Sequence, residues 1–300
     1  VSATVALDGV VGFPSLGTLW VFEVERLPER TTLRGGPGNS VSGELLPDGR
    51  FTVTGGEPLP ASFELSGTFQ DGELQATISD LLVNLAPATE ASASEGFSFA
   101  AGELSGGLFV TGPIYDPSIA GTVDIRGVVV ESNLLPEPAL LEDTFGVFRD
   151  SELSIGATEM TVGDGIASVT AQAFISRYQL ERYGADLVMA RDTPLPVDAD
   201  FGPVALDGTV WGEVFVGFEL NETSISGDIT LEQTAVLLGD TEVLPADDGS
   251  ATVIDVAVRT GRGVEFYWPS RTIPVFRAFS TIGDSLSLQI QTLQTLGLQV

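Results

Sequence analysis

Asp198 and Asp200, and Asp247 and Asp248 beside Gly249, have the spacing with which a loop could hold a Ca²⁺ ion. Neither stretch carries the full series of oxygen donors of a calcium loop, and a solvated turn is the plainer reading of both. The chain has 42 carboxylates, enough for some to fall in the pairs that a glycosidase uses by number alone. Histidine and cysteine are absent. Zinc sites, Ser-His-Asp triads and Cys-His pairs therefore cannot be built, and neither can disulfides. Asn221-Glu222-Thr223 has the form of a glycosylation acceptor, a triplet common by chance. No catalytic group stands out. The expectation is a protein that is not an enzyme and holds no cofactor or metal.

Against 42 acidic residues stand 13 basic ones, a formal net charge of -29. Nucleic acid is a poor partner for such a chain, because backbone binding needs clustered Lys and Arg. An anionic membrane surface is disfavoured for the same reason. Low apolar content with this charge would mean disorder, but hydrophobic residues make up 43% and mean hydropathy is +0.25. The acids fall mostly singly between apolar residues, so a strand can have one wet and one dry face. No run reaches 18 apolar residues. The chain begins and ends in strand-like text and is expected to be a piece of something longer.

The elements that position these residues are organised around residues 112–130. Residues 102–130 lie over residues 208–236 without a gap, at a constant offset of 106. Gly102, Gly106 and Gly121 fall on Gly208, Gly212 and Gly227, and Phe109 and Val110 fall on Phe215 and Val216. Val123, Ile125 and Val130 fall on Ile229, Leu231 and Val236. Glycines and apolar positions are kept while the rest drifts, which is how a strand–turn–strand unit repeats when only packing is specified. Pro14-Ser15-Leu16-Gly17-Thr18-Leu19 is a shorter echo of Pro117 to Thr122.

Elsewhere period-2 alternation is broken by turn signals. Pro47-Asp48-Gly49 and Asp71-Gly72 each predict a hairpin. Residues 133–150 differ: their paired leucines, with Pro136 and Pro138, predict a short helical or loop insert near 134–148. With 35 Gly, 17 Pro and no sustained helical period, the chain reads as all-β, with about 20 short antiparallel strands near six residues each. Such a sheet must hide its edges and one dry face. A barrel, a sandwich or an elongated curved sheet would do so.

Two passages carry a resemblance. One is the cadence of Gly112, Pro117, Gly121 and Ile125. The other runs Val264-Glu265-Phe266-Tyr267-Trp268-Pro269-Ser270, then Ile273-Pro274-Val275-Phe276-Arg277-Ala278, then Gly283-Asp284-Ser285-Leu286-Ser287-Leu288. Both resemble units of the bacterial translocation and assembly module (TamB) family, within the AsmA-like superfamily, and the second is similar to its C-terminal conserved domain. The resemblance implies one continuous β-trough over residues 1–300, a mostly antiparallel sheet folded lengthwise into a U with an apolar interior. It implies a periplasmic location within a larger, inner-membrane-anchored envelope protein. It also implies phospholipid as ligand, an Omp85-type outer-membrane barrel as partner through other parts of the parent chain, and a role in outer-membrane biogenesis.

On that reading alternation assigns the lining to Leu104, Leu108, Val110, Val123, Ile125 and Val129 in the first copy. In the second copy it is Val210, Val214, Val216, Ile229, Leu231 and Ala235. Phe266, Trp268 and Phe276 form either an end plug or a core aromatic cluster, and Trp20 and Trp211 fall on the outer face. The competing reading makes the same aliphatics an ordinary closed core, in a surface-exposed structural or adhesive β-repeat protein.

Overall fold

A computed structural model describes residues 2–8, 19–86, 97–177, 179–200, 204–219, 222–238, 251–268, 271–272, 276–280, 285–291 and 295–299. For residues 2–8, 19–20, 97, 222–223, 251–252, 254, 276, 285–291 and 295–299 it describes the backbone alone. The echo at Pro14, the Asp247–Asp248 pair, Asn221 and Pro269 lie outside the described residues.

The chain is all-β, with twenty-two strands among the described residues, paired mostly antiparallel. In order they are β1 (Ser2–Asp8), β2 (Leu19–Arg26), β3 (Thr31–Gly35), β4 (Val41–Leu45), β5 (Arg50–Gly55), β6 (Ala61–Gln70), β7 (Glu73–Asn84), β8 (Phe97–Pro113) and β9 (Ser118–Ser132). There follow β10 (Ala139–Leu141), β11 (Thr144–Arg149), β12 (Glu152–Val162), β13 (Gly165–Ser176), β14 (Gln179–Met189), β15 (Leu195–Asp200), β16 (Val204–Glu219) and β17 (Glu222–Leu238). The last are β18 (Ala251–Thr260), β19 (Glu265–Trp268), β20 (Phe276–Phe279), β21 (Ser285–Gln291) and β22 (Thr295–Gln299). Two expectations change. Strands of the repeat run 15 to 17 residues rather than about six. The 134–148 segment holds no helix: residues 133–138 are loop, the other half of the expectation, and β10 and β11 follow, because Pro136 and Pro138 forbid helical pairing while Ala139 and Thr144–Arg149 keep a period of two.

Contacts divide the chain into two compact units. The first comprises residues 1–130, 142–155 and 173–181. In it β1 to β8 pair antiparallel with their sequence neighbours. The turn signals act as expected. Asp71 and Gly72 both take positive φ (53° and 86°), the mirror-image turn whose twist matches a hairpin. At the other turn Asp48 accepts from the Arg50 backbone N–H at 3.2 Å and from Arg50 Nε at 2.8 Å. The alternation is visible in β7, where Leu74 and Ala76 are buried between Glu73, Gln75 and Thr77. They pack with Val110, Phe51, Leu65 and Ile78 on one face.

The second unit comprises residues 131–141, 156–172 and 182–300. Here β16 pairs antiparallel with β14, β15 and β17. Beyond β17 the direction changes: β18 and then β19 run parallel to it. Leu231, Val236, Val256, Val258 and Val264 form the core of this unit, with Ile229, Leu206 and Phe266 packed against it.

The repeat read in the sequence is also a repeat in space. A Cβ on Gly106 would lie 2.3 Å from Thr122 O and 2.9 Å from Val123 Cα; on Gly212 it would lie 2.2 Å from Asp228 O and 2.9 Å from Ile229 Cα. Both partners are shifted by the same 106 residues. Gly121 approaches Gly107 O and Leu108 Cα, and Gly227 approaches Glu213 O and Val214 Cα, again at that offset. Each hairpin thus sets two glycines against two large apolar residues on one face, and the strands close in where the glycines sit. Near the end of each hairpin one residue turns to positive φ, Gly127 (58°) and Gln233 (50°), also 106 apart. That residue is an added step in the strand and reverses which face the following side chains occupy.

Candidate functional site

The apolar face of the repeat is where the predicted lining falls, and its two copies differ in exposure. In the first unit Leu108, Val110, Val123 and Ile125 are buried, and Val123 is 0% exposed. Leu153 and Ile155 of β12 crowd the same spot: both come within 4 Å of the Cβ position of Gly146, which pairs with Val123. Leu104 is half-buried. Val129 is half-buried too, and Val128 is the buried neighbour, because Gly127 reverses the alternation.

In the second unit Leu231 is sealed, at 3% exposed. Val210, Val214, Val216 and Ile229 are half-buried. Ala235 is half-buried while Val236 takes the core position, the same reversal made by Gln233. The register places these residues in cross-strand rows. Leu195, Val210 and Leu231 share one row, and Met189, Gly212, Ile229 and Val258 the next. Leu187, Val214, Gly227 and Val256 follow, then Ala185, Val216 and Ile225, and last Tyr183 and Phe218. Leu195, Met189 and Leu231 close one end of this face. Ala185, Leu187, Val214, Val216 and Ile225 leave the other end half open. The final row is an aromatic pair: the rings of Tyr183 and Phe218 stack at 5.2 Å with an interplanar angle of 11°. Burial pushes the Tyr183 phenol above its ordinary pKa.

The aromatic residues singled out near the C-terminus differ in exposure. Phe266 packs into the core, Trp268 is exposed, and the Phe276 backbone pairs opposite Trp268 while its side chain lies outside the described residues. The outward row of this hairpin is polar. Arg277 bonds Glu265 through Nε (3.1 Å) and Nη2 (2.7 Å), and its guanidinium lies over Phe279 (4.9 Å) and Tyr267 (5.6 Å). Tyr267 also donates to Glu265. Hydrogen bonds from Tyr267 and Arg277 hold the Glu265 carboxyl below its usual range, and the bond to Glu265 raises the Tyr267 phenol. These contacts tie β19 to β20 across the hairpin.

Trp211, on the outer face, is touched by Glu232 of β17 and by Arg191. Its Nε1 donates to Glu232 at 3.1 Å, and Arg191 stacks over its ring at 5.5 Å. Arg191 belongs to residues 190–194, which bridge β14 and β15. Trp20 is described by its backbone alone. Asp198 and Asp200 sit on β15, a strand and not a loop. Asp198 pairs opposite Asp207, which is bound by Arg271. No group of three or more acidic residues fit to hold a metal ion occurs among the described residues. No described helix is long and apolar enough to cross a membrane, which leaves strand-based crossing untouched.

Alternation in the sequence reached Val214 and Val216 but stopped short of their continuation. Phe218 keeps their parity, and Tyr183 keeps that of Ala185 and Leu187, so the signal for the aromatic row was present. No protein family, curated protein or solved structure matches the chain.

Proposed function

We propose that the chain is a lipid-binding β-module of a bacterial cell envelope, with the apolar face of the second unit as its acyl-chain surface. The observation that carries the reading is the gradient along that face, from sealed at Leu195 and Leu231 to half open at Leu187, Val214, Val216 and Ile225. From Val214 to Phe218 the open rows span about 14 Å at a strand rise of ~3.4 Å per residue. That length accommodates roughly ten methylenes, each worth about 0.8 kcal/mol when removed from water. The absence of His and Cys from the sequence fits a binding role rather than catalysis. The resemblance to the TamB family supports the same reading and extends it. The sheet would curl lengthwise into an apolar-lined trough in the periplasm, within an inner-membrane-anchored parent that meets an Omp85-type barrel and serves outer-membrane biogenesis.

A closed-core structural or adhesive module is the second reading, and the complete burial of Val123 favours it for the first unit. Native mass spectrometry of the full chain after exposure to phosphatidylethanolamine vesicles, with organic extraction and lipid analysis, separates the two. Retention of lipid at fixed stoichiometry is expected. A folded chain that stays lipid-free sinks the lipid reading.

A further inference from the structure

We infer that the outward face of the first unit, centred on Phe109, binds a neutral oligosaccharide. The inference stands apart from the lipid reading, which concerns the other unit and the inner face. Phe109 and Phe215 hold the same position in the two copies, 106 residues apart. In the second copy a Cβ on Gly184 or Gly217 would lie 3.0 or 2.7 Å from the Phe215 ring. Gly184 and Gly217 pair across β14 and β16, so that ring lies over a cross-strand pair of glycines and is half-buried. An aromatic laid over glycine is a device that holds a sheet together. At the corresponding pair the first copy has Gln75 and Thr111. Phe109 therefore has no such seat, and it is 58% exposed. The ring that braces the sheet in one copy stands open to a ligand in the other.

The residues around it define the ligand. Register places Phe109 in one row with Thr77, Ser66 and Thr52, and Thr111 in the next with Gln75 and Thr68. Alternation sets both rows on the side away from the buried Leu74, Ala76 and Val110. Neither row holds a carboxylate, in a chain of net charge -29. The second row ends at Arg50, which is tied to Asp48. Among the described residues, none of these hydroxyls or the Gln75 amide is taken up by another protein group. An open hollow of about 340 Å³ on the same face is lined by Thr52, Ser66 and Thr68, with Glu44 and Arg50 beside them. From Thr52 to Phe109 is three strand spacings, ~14 Å at ~4.8 Å each, about the length of a trisaccharide. A pyranose lays its C–H face on an aromatic ring and shares hydrogen bonds with hydroxyl and amide groups. An anionic glycan would meet the field of the chain as a like charge. A basic partner finds no carboxylate in these rows, and a protein surface finds one large apolar side chain where a hot-spot cluster needs several.

The test uses the full chain and three uncharged trisaccharides, cellotriose, maltotriose and triacetylchitotriose, with trigalacturonate as the anionic counterpart. Titration calorimetry reads affinity, and hydroxyl-radical footprinting of the unaltered chain reads the place. At least one neutral trisaccharide should bind and shield Phe109 from oxidation while leaving Phe215 as it was. Phe109→Ala should weaken that binding about tenfold and Phe109→Trp should keep it, both with unchanged melting because the side chain is exposed. Thr77→Val should weaken it severalfold. Failure of all three sugars to bind at about 10 mM overturns the inference. Binding that leaves Phe109 unshielded overturns the site, and equal affinity for trigalacturonate overturns the preference for a neutral ligand. Self-association lost in Phe109→Ala, with no sugar bound, would assign the face to a second copy of the chain and overturn the glycan.

Discussion

The hairpins β8–β9 and β16–β17 are two settings of one design. Their inner faces match position by position: the same glycine approaches, the same positive-φ step, the same rows. Their neighbours do not match. β9 pairs antiparallel with β11, whose Gly146 lets Leu153 and Ile155 close over Val123. β17 pairs parallel with β18, which buries Leu231 but leaves Val216 and Ile225 half covered. Their outer faces do not match either. Where the first copy has Gly107 and Thr122, the second sets Glu213 directly opposite Asp228 and forms an open hollow of about 270 Å³ there, with Val188 and Phe215 at its rim. The difference teaches that the glycine pattern specifies how a hairpin is built, while the adjoining strand decides whether its dry face becomes core or surface.

The sharpest way to break this comparison is a charge on each face. Val123→Asp places an unpaired carboxylate in a fully covered site and should cost at least about 4 kcal/mol. Val216→Asp, half exposed, should cost only about 1–2 kcal/mol. Urea denaturation checks both, and equal losses would erase the distinction between a sealed and an open copy. The glycines come next. Gly106→Ala and Gly212→Ala each drive a methyl into a backbone carbonyl and should each cost about 2–4 kcal/mol. At Gly212 the backbone φ of 136° adds strain. A near-neutral result at one position alone would mean that the two hairpins are not built alike.

A smaller effect is expected at Thr234, the counterpart of Val128. Its buried hydroxyl accepts from Thr209 N–H at 3.3 Å and donates to Thr209 O or Glu232 O. Thr234→Val restores the first copy's residue yet strands that N–H, at about 1–2 kcal/mol in the same melts; a stabilising result would show that the hydroxyl is dispensable. The smallest expected effect concerns the outer face. Arg259 bonds Asp228, one member of the opposed carboxylate pair. Arg259→Gln should lose about 0.5–1 kcal/mol at low salt and almost nothing at 1 M salt. Arg126→Gln in the first copy, whose partner Asp124 pairs opposite Phe145, should lose less.

How much of this was legible follows from what alternation encodes. The all-β class, both hairpin turns and the 106-residue repeat were readable, because glycine and period-2 patterns carry them. The reversal after Gly127 has a glycine to mark it. The identical reversal at Gln233 has none, and simple alternation passed over both, so Val129 and Ala235 stood in the predicted lining where Val128 and Val236 hold the core. Strand direction is equally silent: Val256 and Val258 alternate in the same way whether β18 runs parallel or antiparallel. The paired leucines of 134–141 left a short helix or a loop open, because Pro136 and Pro138 limit a helix without revealing that Ala139–Leu141 pairs as a strand. Exposure of the predicted lining depended on Leu153 and Ile155, residues of another strand that no local pattern connects to Val123.

The thirteen basic residues of the chain are all arginine, including Arg259 and Arg271, which hold Asp228 and Asp207 out of their opposed carboxylate pairs. With no lysine, histidine or cysteine in the sequence, the chain lacks the side-chain types whose ordinary pKa lies between about 6 and 9. Its electrostatics therefore answer to the electrolyte and are deaf to acidity. A titration across neutrality should pass unnoticed where a change in ionic strength would not.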